Sequence, residues 1–287
     1  MNDKTINIKG SLLSLHTPLV MGILNVTPDS FYALSRAQTE GAIHDRITTI
    51  LEEGGRIIDV GGYSSRPSAS EVTEEEEMQR LSLALGIINR YYPEAIVSVD
   101  TFRAGIALRS VEVYGAAVIN DISGGELDRG MFDAVARLGV PYILMHMRGA
   151  PQTMQENTVY NNLTVDIRKY FADKIYSLEL MGVKDIILDP GFGFSKTTGQ
   201  NFELMRRLDS FDVFDRPILV GVSRKSMIYK TLGIAPDNSL NGTTVMNTIA
   251  LLSGASILRV HDVREAVEAV RLTGEHMKEA SPCYISE

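Results

Sequence analysis

Eight short apolar runs, each followed by a longer stretch with helical period, predict an α/β fold of the (β/α)8 TIM-barrel type. The runs fall at 19–24, 57–60, 95–99, 116–119, 141–145, 185–188, 217–222 and 256–260. They are rich in Val and Ile and do not alternate with polar residues, as strands buried on both faces should not. About eight strand–helix units in 287 residues fit one closed barrel domain over 1–287. A doubly wound sheet would need fewer units or a second domain. The segment 6–16 precedes the first run and is expected to form a short hairpin across the barrel's N-terminal mouth.

Between the runs, Ile43, Ile47, Ile50 and Leu51 fall on one helical face, as do Ile167, Phe171, Ile175 and Leu178. Thr73 with Glu76, and Asp262 with Glu265, have the spacing of a capping box. The acidic run Glu74 to Glu77 complements the positive end of a helix dipole and reads as a solvated helix start, not a metal site.

The formal net charge of -8 offers no field that would gather nucleic acid or anionic lipid, so neither is expected as a partner. The single cysteine, Cys283, excludes an internal disulfide and a cysteine metal cluster, which suits a reducing, cytoplasmic home. No apolar run approaches the roughly 18–20 residues of a membrane span, and the first residues do not read as a cleaved signal.

In such a barrel the active site gathers at the C-terminal ends of the strands. The eight runs lead in turn to Asn25, to Gly61-Gly62-Tyr63-Ser64-Ser65-Arg66-Pro67, to Asp100-Thr101, to Asn120-Asp121, to His146, to Asp189-Pro190-Gly191, to Ser223-Arg224-Lys225-Ser226 and to Arg259-Val260-His261-Asp262. Any one of these could be a turn or a helix cap. Together they place carboxylates, amides, cations and imidazoles around one cavity.

Cations at the helix start after Ser223 oppose the macrodipole and suggest an anionic or carbonyl-bearing ligand. Arg66, Arg259 and His261 add the forks and donors that a phosphate or pyrophosphate requires, unless Arg259 only pairs with a nearby carboxylate. Asp100 and Asp189 suit the paired N–H groups of an amino-substituted nitrogen heterocycle, with pairing to Lys225 or Arg259 as the alternative. The sequence lacks the nucleophile elbow, zinc-protease and phosphate-loop motifs, so covalent catalysis is not indicated. Of the five histidines, only His146 and His261 are expected at the mouth.

The strings Asn25-Val26-Thr27-Pro28-Asp29-Ser30-Phe31, 61–67, Ser98-Val99-Asp100-Thr101, Asn120-Asp121-Ile122, Asp189-Pro190-Gly191-Phe192-Gly193-Phe194, 223–226 and 259–262 occur in the order found in dihydropteroate synthases. Over about 21–272 the chain resembles that family. The resemblance implies a Mg2+-assisted transferase of folate biosynthesis that joins a pterin methyl pyrophosphate to p-aminobenzoate, and it implies a homodimer. It also implies roles. Asn25 would ligate Mg2+ beside the pyrophosphate; Ser65, Arg66, Arg259 and His261 would contact that group. Asp100, Asn120, Asp189 and Lys225 would hold the pterin. Phe31, Pro67, Phe194, Lys225 and Ser226 would frame p-aminobenzoate. Lys225, Arg259, His261 and Asp100 would carry the chemistry. The chain departs from the family pattern at Tyr63, Ser65 and Ser68, over Tyr32-Ala33-Leu34-Ser35, and at Ser195, where Gly is common.

Overall fold

The computed structural model describes residues 4–27, 36–63 and 72–278. Phe31, Ser65, Arg66 and Pro67, all expected at the site, lie outside the described residues.

A hairpin opens the chain: β1 (Thr5–Ile8) pairs antiparallel with β2 (Ser11–Ser14). Its two-residue turn, Lys9 and Gly10, has positive φ at both positions (51° and 89°), the geometry that matches the twist of the flanking strands. Ile6 and Ile8 are buried and pack with Leu19, Ile57, Ile143 and Ile187, which are barrel-strand residues. The expected hairpin is therefore a plug on the N-terminal end.

The barrel strands are β3 (Leu19–Asn25), β4 (Ile57–Gly61), β5 (Ile96–Asp100), β6 (Val118–Asp121), β7 (Tyr142–Met145), β8 (Ile186–Asp189), β9 (Leu219–Val220) and β10 (Ile257–Val260). They are parallel and neighbour one another in the order β8-β7-β6-β5-β4-β3-β10-β9. A parallel bridge between Leu188 and Ile218 joins the two ends, so the eight strands close on themselves. The two-residue β9 is the shortest strand, and this bridge supplies part of its pairing.

The main helices are α1 (Arg36–Glu52), α2 (Glu74–Tyr91), α3 (Ala104–Glu112), α4 (Met131–Leu138), α5 (Leu163–Leu180), α6 (Thr198–Arg206), α7 (Ser226–Leu232), α8 (Leu240–Leu252) and α9 (Val263–Met277). Ile43, Ile47 and Ile50 of α1 are fully buried, as the period predicts. At Gly22 a Cβ would lie 2.6 Å from Ile50 Cγ2, so the lack of a side chain is what lets α1 lie so close to β3. Among the described residues no helix is long and apolar enough to cross a membrane.

Two expectations at helix starts need correction. Thr73 and Glu76 do form a capping box, but the acidic run they open is not wholly solvated: Glu77 is buried and paired with Arg103. At α9, Asp262 makes no capping bond. Its carboxylate is held instead by Arg224, through Nε at 3.0 Å and Nη2 at 2.7 Å.

Candidate active site

Strand residues alternate between barrel interior and helix layer, and the registers show which residues share a level. On β4 the interior series is Ile57, Asp59, Gly61; beside it on β5 run Ile96, Ser98, Asp100, with Asp59 opposite Ser98 and Gly61 opposite Asp100. On β10, Ile257 and Arg259 continue to His261. Each series starts apolar above the hairpin and turns polar toward the C-terminal end. The site is therefore two levels deep.

Arg259 is its hub. Nε donates to Asp59 Oδ2 at 2.6 Å, and Nη2 donates to Asp100 Oδ2 at 2.7 Å. Asn120 Nδ2 donates to the same Asp59 oxygen at 3.1 Å. Burial pushes the Asp100 carboxyl up from its usual range, with Arg259 pulling it back, while the two carboxylates hold the guanidinium firmly charged. Asp59 Oδ1 and Ser98 Oγ, at one level, are buried with no protein partner among the described residues. Buried unsatisfied polar atoms at this level are what a polar ligand would satisfy.

On the opposite wall, Asp189 is buried and one of its oxygens accepts from Gly191 N at 2.8 Å. Burial raises its carboxyl, and the Lys225 ammonium is the first group to oppose that shift. Lys225 Nζ donates to Phe192 O at 2.5 Å and stands 4.7 Å from the centroid of the Phe194 ring. Its burial lowers it to about 8, with Asp189 supporting the charge. Ser226 opens α7 beside it.

His261 donates from its backbone: its N–H bonds to Ser223 Oγ at 3.2 Å, and that hydroxyl lies 3.0 Å from His261 Nδ1. When the hydroxyl donates to Nδ1, the neutral imidazole carries its proton on Nε2. Burial, then the Arg259 charge, lowers His261 to about 4, so it is neutral at pH 7. In that tautomer it offers a donor, not a cation. Arg224 corrects a further expectation, because its charge is spent on Asp262 and is not free for a ligand.

His146 reaches this end of the barrel but is buried against Lys196 Nζ at 3.1 Å. Asn25 ends β3 opposite Gly61. A Cβ at Gly61 would lie 3.5 Å from Asn25 Oδ1 and 3.8 Å from Asp100 Oδ2, so glycine keeps the space between those two oxygens clear. Among the described residues no group of three or more His, Cys, Asp or Glu side chains could hold a metal unaided. Two surface depressions of about 510 and 420 Å³ lie elsewhere, one between α1 and α9 and one beside the hairpin. Their exposed lining lacks the convergent buried groups of the mouth.

Asn25, Asp100, Asn120, Asp189, Phe194, Lys225, Ser226, Arg259 and His261 thus all belong to the C-terminal end of the barrel. The sequence alone singled out neither Asp59 nor Lys196, and Ser98 entered only within a matching string, with no role of its own. The signal for Asp59 was a carboxylate inside the apolar run 57–60, two residues before the strand end and so on the same face as Gly61.

The model of the "Pterin binding enzyme" family matches residues 21–261. The dihydropteroate synthase of Escherichia coli (strain K12) is 43% identical over 269 residues, covering 92% of this chain and 93% of that protein. Two solved structures superpose on nearly the whole chain. Dihydropteroate synthase of Yersinia pestis in a sulfonamide drug complex has a TM-score of 0.88 at 37% identity, covering 95% of this chain and 98% of the other. That of Xanthomonas albilineans with 4-aminobenzoic acid has a TM-score of 0.87 at 33% identity, covering 97% and 100%. A two-level polar mouth on this barrel, with this extent of likeness, places the chain in the dihydropteroate synthase family of pterin-binding enzymes.

Proposed function

We propose that the chain, as one barrel domain, condenses 6-hydroxymethyl-7,8-dihydropterin pyrophosphate with p-aminobenzoate to give 7,8-dihydropteroate and pyrophosphate. The observation that carries this reading is the guanidinium of Arg259 bridging Asp59 and Asp100 on the floor of the mouth, with Asp189 and Lys225 on the facing wall. Carboxylates and amides at that depth match the N–H and carbonyl edge of a pterin. Asp100, Asn120, Asp189 and Lys225 hold the ring, and Asp59 Oδ1 with Ser98 Oγ supply unpaired groups below them. Arg259 and His261, with Ser65 and Arg66, face the pyrophosphate. Phe31, Pro67, Phe194, Lys225 and Ser226 frame the aromatic amine, the ligand class carried by the Xanthomonas relative.

In the reaction the bond from the pterin methylene carbon to the bridging oxygen breaks, and its electron pair leaves with pyrophosphate. The His261 Nε2–H and the Arg259 guanidinium face the charge as it grows on that oxygen, where preorganised donors act most strongly. The dihydropterin ring shares the positive charge on the methylene. The amine is neutral at pH 7, so its lone pair forms the C–N bond without prior deprotonation, and the nitrogen loses a proton afterwards. The Asn25 amide oxygen, across Gly61 from Asp100, suits the hard oxygen preference of Mg2+, an ion that takes few protein ligands and keeps phosphate oxygens. When bound, Mg2+ supplies neutralisation of pyrophosphate charge.

A homodimer and a cytoplasmic location complete the proposal. The first is supported by Val245, Ile249 and Leu252, half-exposed apolar residues on α8; the second by the single cysteine. The deciding experiment measures pyrophosphate release from the pterin substrate with and without p-aminobenzoate. Amine-dependent release supports the reading, and its absence with folded protein overturns it.

A further inference from the structure

The loop between β8 and α6, residues 190–196, is held by its carbonyls to an unusual degree. Five consecutive carbonyl oxygens each accept from a side chain: Gly191 from Lys196 (2.9 Å), Phe192 from Lys225 (2.5 Å), Gly193 from Gln155 (3.1 Å), Phe194 from Lys196 (3.0 Å) and Ser195 from Tyr160 (3.0 Å). Lys196 is the centre of this set. It is 3% exposed, and its three N–H groups have three acceptors: Gly191 O, Phe194 O and His146 Nδ1 at 3.1 Å. One ammonium thus ties together both ends of the turn that carries Phe192 and Gly193.

Ser195 adds a second tie. Its φ is 52°, a conformation that glycine adopts freely and serine does not. The fully buried hydroxyl accepts from Arg148 N at 2.9 Å and donates to Arg148 O at 2.8 Å, strapping the loop to the segment after β7. Serine at a left-handed position is tolerated where such bonds over-determine it. Three groups of the mouth depend on this loop. Asp189 accepts from Gly191 N, Lys225 donates to Phe192 O, and the Phe194 ring lies beside the Lys225 ammonium.

We propose that Lys196, with Ser195, is a positioning residue that holds the loop 190–196 so that Phe194 and Lys225 present one rigid subsite to the aromatic amine. Lys196 touches neither substrate and acts through the carbonyls it binds. This rests on the function proposed above and goes beyond it, since it makes affinity for the amine depend on a buried ammonium outside the mouth. Burial lowers Lys196 to about 7; Asp189 opposes that shift, while Lys225 and Arg148 add to it. The neighbouring His146 is held neutral by burial and by the Lys196 charge, which leaves Nδ1 free to accept. As pH rises through neutrality, Lys196 loses a proton and one of its three acceptors loses its donor.

The test uses the full chain with Ser195→Gly and Lys196→Gln, measuring KM for p-aminobenzoate, kcat, and calorimetric affinity for the pterin substrate across the neutral pH range. Ser195→Gly relieves the backbone while removing the strap, so it is expected to fold. It should raise KM for the amine about three- to tenfold, the range for one or two lost hydrogen bonds, with kcat and pterin affinity little changed. Lys196→Gln should raise that KM and flatten its rise near pH 7, while a step from Lys225 at higher pH persists. If Lys196→Gln fails to fold, the wild-type KM for the amine measured through neutrality decides for Lys196: a rise near pH 7 supports the role and a flat profile overturns it. An active wild type whose variants keep the wild-type KM and pH profile overturns this inference only. A folded wild type that releases no pyrophosphate overturns the proposed function and this inference with it.

Discussion

Arg259 Nε and Asp59 Oδ2 lie 2.6 Å apart, joining strands β10 and β4 across 200 residues of chain. Asp59 is fully buried and Asp100, the other partner of Arg259, is one-fifth exposed, so the guanidinium is the main compensation for two largely desolvated carboxylates. Arg259→Ala would leave both without a cation, with only the Asn120 amide still donating to Asp59; breaking a buried ion pair costs about 3–5 kcal/mol. Stability should fall together with kcat. Arg259→Lys keeps the charge but cannot make both bonds, so it should recover stability more than turnover. Denaturant titration and pyrophosphate release measure the two effects separately. An Arg259→Ala protein as stable as wild type would show that the two carboxylates do not need this partner.

Asp189 tests pterin recognition on the opposite wall. Among the described residues its carboxylate accepts one hydrogen bond, from Gly191 N, and its burial leaves little water to compete for the carboxylate. Asp189→Ala should weaken binding of the pterin by about 1.5–3 kcal/mol, the range for hydrogen bonds to a charged group. Isothermal calorimetry on the folded variant checks this, and unchanged affinity removes Asp189 from the pterin site.

How much of this was legible in the sequence depends on where each residue stands in its strand. Asn25, Asp100 and Asp189 end their strands and Asn120 is next to last in its own, so a polar residue after an apolar run marks both the end of the strand and the barrel mouth. Asp59 and Ser98 sit one interior position deeper, and a run dominated by Ile and Val hides a single polar residue. The period of two would have found them, because Asp59 shares a face with Gly61 and Ser98 with Asp100. Arg224 and Asp262 show the opposite case. Both have local uses that sequence suggests, at a helix start and a helix cap, yet they find each other across 38 residues. Lys196 was invisible for another reason: its acceptors are carbonyls, which every residue has, and only the turn geometry brings them to one ammonium.

His261 gives a dependence on pH whose sign is determined. Its value in the fold, about 4, lies below the ordinary 6.5 because burial disfavours the charged ring and Arg259 stands beside it. The unfolded chain therefore binds a proton between those values while the fold does not. The stabilising contribution is full above about pH 6.5 and is lost as pH falls toward about 4. Asp100, Asp121 and Asp189, raised by burial, act in the opposite sense, so the effect is read as a difference. The melting temperature of wild type minus that of His261→Asn should be larger near pH 7 than near pH 5. A constant difference would mean that the ring is solvated and titrates as in the unfolded chain.

The chemical step can be tested without the second substrate. Arg259 and the Nε2–H of His261 both belong to the end of β10. They are set before the reaction begins, the first by Asp59 and Asp100 and the second by Ser223. Donors already in place stabilise the leaving oxygen most when its charge is greatest, so their effect belongs to the transition state and to kcat. If bond breaking leads bond making, the methylene–oxygen bond should open and reclose while pyrophosphate stays bound and no amine is present. The enzyme would be incubated with Mg2+ and a pterin pyrophosphate labelled at the bridging oxygen, with p-aminobenzoate omitted. Label should move into non-bridging positions, and Arg259→Lys should slow that movement as much as it slows turnover. If no label moves while turnover with the amine is normal, attack by the amine accompanies bond breaking. A variant that slows turnover but leaves the exchange untouched would place Arg259 after the bond has broken, holding pyrophosphate instead of helping it to leave.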